Sequence, residues 1–178
     1  YAVIAAPLPG DTTIFTLPFP TISHGGLNDV EVFVNPGVVL EQAYDNNTIA
    51  LPDHVNVITD HVNPVLDVTF DGKHIAHNDF VSINPHIRIK LWDENPHMLK
   101  RDTTGITILL GFCDEACDPQ PVYFSNPNVI WRRASESADL NIEFNRENLS
   151  DGRYLLYVGA TDASGNGSIS PYQIMFQV

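Results

Sequence analysis

The sequence predicts an all-β fold. Its apolar residues occur in short runs separated by 13 Pro and 11 Gly, and few runs have helical spacing. The clearest strand lies in residues 149–168, where Tyr154, Leu156 and Val158 alternate with residues of the opposite face. The spacing of Leu149, Gly152 and Tyr154 matches a tyrosine corner, in which a Tyr near the start of strand F bonds back to the preceding turn. These observations together predict tandem immunoglobulin-like β-sandwiches.

Length and charge limit the class of protein. A chain of 178 residues allows one large domain or two small ones. The net charge of −13 argues against nucleic acid or an anionic membrane surface as a partner. No apolar run approaches the roughly 18 residues of a membrane helix, so we expect no membrane insertion. No signal peptide opens the chain, which we expect to be a piece of a longer precursor.

Residues 1–60 contain several strand signals, at 1–6, 12–17, 28–34 and 54–58, and residues 59–64 have the polar composition of a linker. The run NDVEVFVNP at 28–36, followed by Glu41 and the pair Asn46 and Asn47, resembles the second half of the CARDB-type adhesion module. The resemblance implies that residues 1–60 form a partial Ig-like module. Its open edges would be covered by other domains of the same precursor or by a partner chain.

Residues 65–178 predict a complete Ig-like β-sandwich. Its predicted main strands are 65–70, 86–92, 105–112, 139–145, strand F from 153, and 169–178. Shorter pieces are expected at 73–76, 80–83, 122–124 and from Trp131 onward. Asp71 and Gly72 form a strong hairpin-turn signal between the first two pieces.

Residues 63–110 carry a more specific resemblance. The motifs VLDVTFDG at 65–72, VSINP at 81–85, LWDENP at 91–96 and DTTGI at 102–106 resemble a module near the carboxyl end of large bacterial surface proteins exported by the type IX route. These include gingipain-like cysteine peptidases and a sortase-type component of that machinery. The resemblance implies an extracellular or cell-surface protein. It does not imply catalytic activity for this chain, because the peptidase domain would lie upstream.

The predicted function is therefore a non-catalytic spacer or adhesion region of a larger secreted protein, not an enzyme. One alternative is an accessory segment of a gingipain-like cysteine peptidase or secretion sortase. Another is a carbohydrate-binding module, with Trp92, Trp131, Tyr123 and Tyr172 as its aromatic platform, although strand packing also explains these side chains.

Oxygen-bearing side chains from three distant segments of the sequence are expected to meet at one end of the second module. In an Ig-like sandwich the start of strand A, the B–C loop and the F–G loop meet at the same end. The candidate ligands of a structural Ca²⁺ ion are Asp60, Asp93, Glu94, Asp102, Asp162 and Asn166. The alternative is that they are ordinary turn residues, because Asp and Asn favour turns.

The two cysteines, Cys113 and Cys117, have three residues between them. That spacing suits a small-loop disulfide, which implies an oxidising compartment, but it also leaves free thiols or metal binding open. The triplets DTT at 11–13 and 102–104 resemble an O-glycosylation signal of such bacteria. His74 and His77 have little support as a metal pair. The sequence contains neither a Gly-x-Ser-x-Gly elbow nor a phosphate-binding loop.

Overall fold

The structure is a computed structural model that describes residues 2–5, 10–114 and 116–178. Within those residues it contains ten strands and no helix, which confirms the all-β prediction. In the described part of the chain, no helix has the length and apolarity that crossing a membrane requires. The strands are β1 (Gly26–Phe33), β2 (Thr48–Val57), β3 (Val65–Phe70), β4 (His86–Trp92), β5 (Thr107–Phe112), β6 (Gln120–Pro121), β7 (Val129–Arg132), β8 (Leu140–Asn145), β9 (Arg153–Gly159) and β10 (Tyr172–Gln177).

Two compact units divide the chain, Tyr1–Thr59 and Asp60–Val178. The division falls inside residues 59–64, the segment with linker composition. The first unit contains one antiparallel sheet, β1–β2, whose pairing runs from Gly26 opposite Val57 to Phe33 opposite Thr48. The predicted strands at 28–34 and 54–58 are therefore present, and β2 begins six residues earlier than expected.

The strand predictions at the start of the chain are wrong for the residues that the structure describes. Residues 12–17 are exposed and form no strand, although their side chains alternate. Residues 2–5 likewise form no strand, and Tyr1 and Ala6 lie outside the described residues. Alternation places side chains on two faces, but a strand also needs a neighbour for its main-chain N–H and C=O groups. No such neighbour lies beside these segments in the described chain.

The second unit consists of two four-stranded antiparallel sheets. The first has the order β3-β4-β8-β7 and the second has the order β10-β9-β5-β6. Strands β3 and β4 have the predicted bounds to the residue, and β5, β8 and β10 begin one to three residues later than predicted. The β3–β4 connection turns at Asp71 and Gly72, both with positive φ, as the Asp-Gly signal predicts.

The short connecting pieces differ from the prediction. The expected strand at 122–124 is absent, and the pairing with β5 is made instead by β6 at Gln120–Pro121. Residues 73–76 and 80–83 contribute isolated bridges at Lys73 and Phe80 but no strand. These segments are too short for their apolar alternation to distinguish a strand from an extended loop.

Apolar residues from both sheets form one common core. From the first sheet, Val68, Ile87 and Ile89 are almost fully buried, as are Leu156 and Phe176 from the second. The core therefore lies between the two sheets. The rings of Phe70 and Phe176 have centroids 5.1 Å apart, a contact between a strand of each sheet. Burial of such side chains, at about 1.5–3 kcal/mol each, is the main term that holds the two layers together.

The tyrosine corner is present. The Tyr154 hydroxyl donates a hydrogen bond of 3.2 Å to the main-chain oxygen of Ser150. The Tyr154 ring packs against Phe112 and Phe176, with centroid distances of 5.3 and 5.6 Å. Gly152 has φ +143°, and a Cβ there would lie 2.5 Å from the Phe112 ring, so the turn needs glycine.

Cys113 and Cys117 form a disulfide with an S–S distance of 2.01 Å. The bond closes the loop that follows β5, and Cys113 is buried beside the end of that strand. Of the alternatives that the spacing leaves open, the structure has the disulfide, and no free cysteine remains in the described chain.

Replacing Tyr154 with Phe should lower the free energy of unfolding by about 1 kcal/mol, because the Ser150 carbonyl loses its donor while the ring packing stays. Urea denaturation measures the change, with an unaltered slope. Tyr157→Phe, on the opposite face of β9, is the matched control and should stay within about 0.5 kcal/mol of the parent. Equal losses in the two variants would contradict a structural role for the Tyr154 hydroxyl.

Candidate cation site

Three carboxylates from distant parts of the sequence meet at one end of the second unit. Asp60, Asp93 and Asp162 each offer an oxygen, and these oxygens lie within 4.8 Å of one another. Asp93 directly follows β4 and Asp162 lies shortly after β9, while Asp60 precedes β3. The pairing of β3 with β4 brings Asp60 and Asp93 together, because the start of β3 lies opposite the end of β4, with Val65 opposite Trp92. Asp162 reaches them from the other sheet, after β9.

Asp60 is held by donors from two loops. Its Oδ2 accepts hydrogen bonds from Asn95 Nδ2 at 3.0 Å and from Ser164 Oγ at 3.1 Å, and its Oδ1 accepts the Val62 N–H at 3.0 Å. The bonds from Asn95 and Val62 favour the charged form and lower the pKa of the Asp60 carboxyl. Asp60 is therefore an anion at neutral pH and fixes the linker to both loops.

Asp162 is buried, with 3% of its surface exposed. Its Oδ1 accepts the Asn166 N–H at 2.8 Å, and its Oδ2 accepts Asn166 Nδ2 at 2.9 Å. The same Asn166 amide donates to the main-chain oxygen of Asp60 at 3.2 Å. Asn166 thus joins the F–G loop to the start of the unit.

Asp93 lacks a complete set of partners. Its Oδ1 accepts the Asn95 N–H at 2.7 Å, but its Oδ2 is buried and has no hydrogen-bond partner among the described residues. Burial raises the pKa of the Asp93 carboxyl, and the nearby charges of Asp60 and Asp162 raise it further. Asp162 cannot satisfy Asp93 when both are ionised, because carboxylates only accept hydrogen bonds. What this oxygen lacks is a hydrogen-bond donor or a cation.

Two of the predicted ligands lie outside the carboxylate cluster. Glu94 is exposed, and Asp102 forms an ion pair of 3.2 Å with Lys100, which lowers the pKa of the Asp102 carboxyl. Lys100 itself is buried, and its Nζ donates to the main-chain oxygens of Thr104 and Asp162 at 2.6 and 3.3 Å. This lysine ties the two loops together at the side of the site.

No pattern in the sequence predicts the contributions of Lys100 and Ser164. Both residues lie in loops that the topology brings to this pole, but their side-chain directions follow no periodic rule. Asn95 lies in the same loop as Asp93, and it is the donor that links Asp60 to Asp93.

The ligand atoms that meet at the site are the oxygens of three carboxylates. The side-chain amides of Asn95 and Asn166 turn their Nδ2 groups toward Asp60 and Asp162 as hydrogen-bond donors, and the Asp60 carbonyl oxygen lies beside them. Ca²⁺ prefers six to eight oxygen ligands, with waters completing the set. The donor set fits Ca²⁺ and lacks the thiolate and imidazole ligands that Zn²⁺ prefers.

The other proposed binding residues are not brought together. Trp131 pairs with Ile142, whose side chain is buried, whereas Trp92 alternates with the buried Leu91 and lies on the outer face with Lys90. The two tryptophans therefore lie on opposite faces of their sheet and form no shared platform. His74 Nε2 contacts Asp67 at 2.6 Å, and His77 Nδ1 accepts the Met175 N–H at 3.4 Å, so this pair has separate partners.

Comparisons of the chain with protein-family models, with curated proteins and with solved structures find no match.

Replacing Asp93 with Asn should stabilise the protein in EDTA at neutral pH. The change removes a charge that burial and two neighbouring carboxylates disfavour, and the new amide can donate toward Asp60 or Asp162. Chemical denaturation of the parent and the variant measures the difference.

This advantage has a defined pH dependence. Because the folded-state pKa of Asp93 is raised, the penalty for ionising it is present above that pKa and disappears as the pH falls through it toward the ordinary value. The stability difference between Asp93→Asn and the parent should shrink accordingly. A difference that is constant across the acid range, or a variant that is less stable at neutral pH, would contradict the charge conflict.

Proposed function

We propose that the chain is a non-catalytic, extracellular Ig-like spacer or adhesion region of a larger bacterial surface protein. Its second unit is an Ig-like β-sandwich, and a Ca²⁺ ion at Asp60, Asp93 and Asp162 stiffens the start of that unit. The role is mechanical, because a bound ion sets the position of the linker relative to two loops.

The strand orders support the Ig-like assignment. If β3, β4, β7 and β8 are strands A, B, D and E, the first sheet has the order A-B-E-D of a constant-type immunoglobulin domain. With β5, β9 and β10 as C, F and G, the second sheet has the order G-F-C, extended by β6. The tyrosine corner at Tyr154 lies near the start of the strand that this assignment calls F.

The observation that carries the cation proposal is the buried oxygen of Asp93. Hydrogen bonding in turns explains Asp60 and Asp162, since all four of their carboxylate oxygens have donors. It leaves Asp93 Oδ2 buried, without a donor, beside two other carboxylates. A divalent cation would offset two of the three negative charges of the cluster and give this oxygen its missing partner.

Two observations support the extracellular location. A structural disulfide such as Cys113–Cys117 is typical of oxidising compartments. Residues 63–110 also resemble modules of type IX-secreted surface proteins. The same resemblance extends to accessory segments of gingipain-like cysteine peptidases, in which the unit would have the same mechanical role beside a catalytic domain.

The first unit is proposed to need a covering partner, either another domain of the same precursor or a separate chain. None of its described residues is buried. The β1–β2 sheet leaves large apolar side chains exposed on both strands, including Leu27, Phe33 and Ile49. Residues 1–59 also contain no Lys or Arg, so their Asp and Glu residues give this unit only negative formal charge at neutral pH. A partner with a basic rim and an apolar centre would complement this surface.

Calcium should raise the melting temperature of the protein by several degrees relative to EDTA. A ligand that binds only the folded state stabilises it by about 2.7 kcal/mol at about 100 times its Kd. Differential scanning calorimetry measures the shift, which Asp93→Asn should abolish. Asp102→Asn and Glu94→Gln, outside the cluster, are matched controls that should keep the calcium response. Superimposable melting curves of the parent in EDTA and in calcium would refute the cation site.

Hydrogen exchange should be much faster in β1 and β2 than in β4 and β8 of the intact chain. An isolated two-stranded sheet is marginally stable in water, whereas β4 and β8 are central strands over the buried core. Mass spectrometry of exchanged peptides makes the comparison within one sample. Protection of β1 and β2 equal to that of β8 would contradict the need for a covering partner.

A further inference from the structure

Asn166 is distinguished both by the residue that follows it in the sequence and by its hydrogen bonds at the site. It is followed by Gly167, and this is the only Asn-Gly pair in the chain. Its side-chain amide donates to Asp162 Oδ2 at 2.9 Å and to the Asp60 main-chain oxygen at 3.2 Å. These bonds require an N–H donor at position 166, which an amide has and a carboxylate lacks. They hold the F–G loop against the cluster of three aspartates.

Asn-Gly is the dipeptide in which main-chain attack on the side-chain amide is least hindered, because glycine has no side chain to shield its nitrogen. Gly167 is exposed, and a Cβ built on it would meet no atom within 4 Å. The main chain at Gly167 is therefore open to solvent, and the half-buried Asn166 amide must leave its two acceptors before the Gly167 nitrogen can attack it.

We propose that Asn166 is a deamidation site and that its aspartate product adds a fourth carboxylate to the cation site. The inference rests on the cation-binding function proposed above and describes a modification of that same site. On this proposal, the calcium dependence of the second unit increases after synthesis.

The reaction balances with water as its co-reactant. The Gly167 main-chain nitrogen attacks Cγ of Asn166 and forms a cyclic imide. The amide nitrogen leaves with the displaced proton as ammonia. Water then opens the ring, giving aspartate when it attacks the side-chain carbonyl and isoaspartate when it attacks the main-chain carbonyl. No oxidant, reductant or enzyme is required.

The product changes the electrostatics of the site. The carboxylate at 166 loses both amide donors and faces the Asp162 carboxylate and the Asp60 carbonyl oxygen. Without a cation, this adds repulsion to a cluster that already contains three carboxylates. With a cation, the same oxygens are further ligands of the hard type that Ca²⁺ prefers. The protein should therefore become less stable in EDTA and more responsive to calcium.

The modification is tested by incubating the intact chain at mildly alkaline pH in EDTA and following its mass and its peptide map. The parent should gain the mass that accompanies replacement of NH₂ by OH, located at Asn166. Gly167→Ala is the matched control, because its methyl group shields the attacking nitrogen while the space around it accommodates the change. No gain at Asn166, or an equal gain in Gly167→Ala, would overturn the deamidation.

The consequence is tested with Asn166→Asp, which supplies the product, and Asn166→Ala, which removes the donors without adding charge. Both variants should melt lower than the parent in EDTA. Calorimetric titration with CaCl₂ should show affinity on the order of tenfold tighter for Asn166→Asp than for the parent, since ligand charge tunes calcium sites. Asn166→Ala should show no such gain.

The outcomes separate the two proposals. Calcium binding by the parent without tighter binding by Asn166→Asp would overturn the fourth ligand and leave the cation site standing. Absence of calcium binding in the parent and in both variants would refute the cation site itself, and with it the role given to the deamidated residue.

Discussion

The constraint on which the rest of the second unit depends is the register of its antiparallel strands. Val65 lies opposite Trp92, and Thr107 lies opposite Gly159, so the start of β3, the end of β4 and the end of β9 share one end of the unit. The same register aligns the buried faces of both sheets over one core. The acidic loops cannot move apart without shifting strands that hold the core, and the core therefore keeps the carboxylates close together.

The sequence predicts those parts of the fold in which pairing and alternation agree. The bounds of β3 and β4 are predicted to the residue, because each alternates over six or more positions and the Asp71-Gly72 turn ends β3. Residues 12–17 alternate equally well but have no neighbouring strand in the described chain. Side-chain periodicity is a local property, whereas a strand is completed by a partner that local sequence does not specify.

The candidate site shows the same difference between what local sequence predicts and what depends on neighbouring parts of the fold. Topology was sufficient to place Asp60, Asp93 and Asp162 at a common pole, because each lies near the end of a predicted strand. It was not sufficient to separate them from Glu94 and Asp102, since side chains in loops follow no period. Asp102 instead forms an ion pair with the buried Lys100, and nothing in the sequence neighbourhood of Lys100 indicates that it is buried.

The decisive contrast is between the three aspartates themselves. Turn chemistry fully explains a carboxylate whose oxygens both accept main-chain or amide N–H groups, and Asp162 satisfies that description through Asn166 alone. Asp93 does not, because only one of its oxygens has a donor and the other is buried next to two anions. An aspartate needed only for the turn would leave that second oxygen in water. Its burial at neutral pH is compensated if the pKa rises, as the surroundings of Asp93 favour, if a water in the small cavity beside it donates, or if a cation supplies the missing charge.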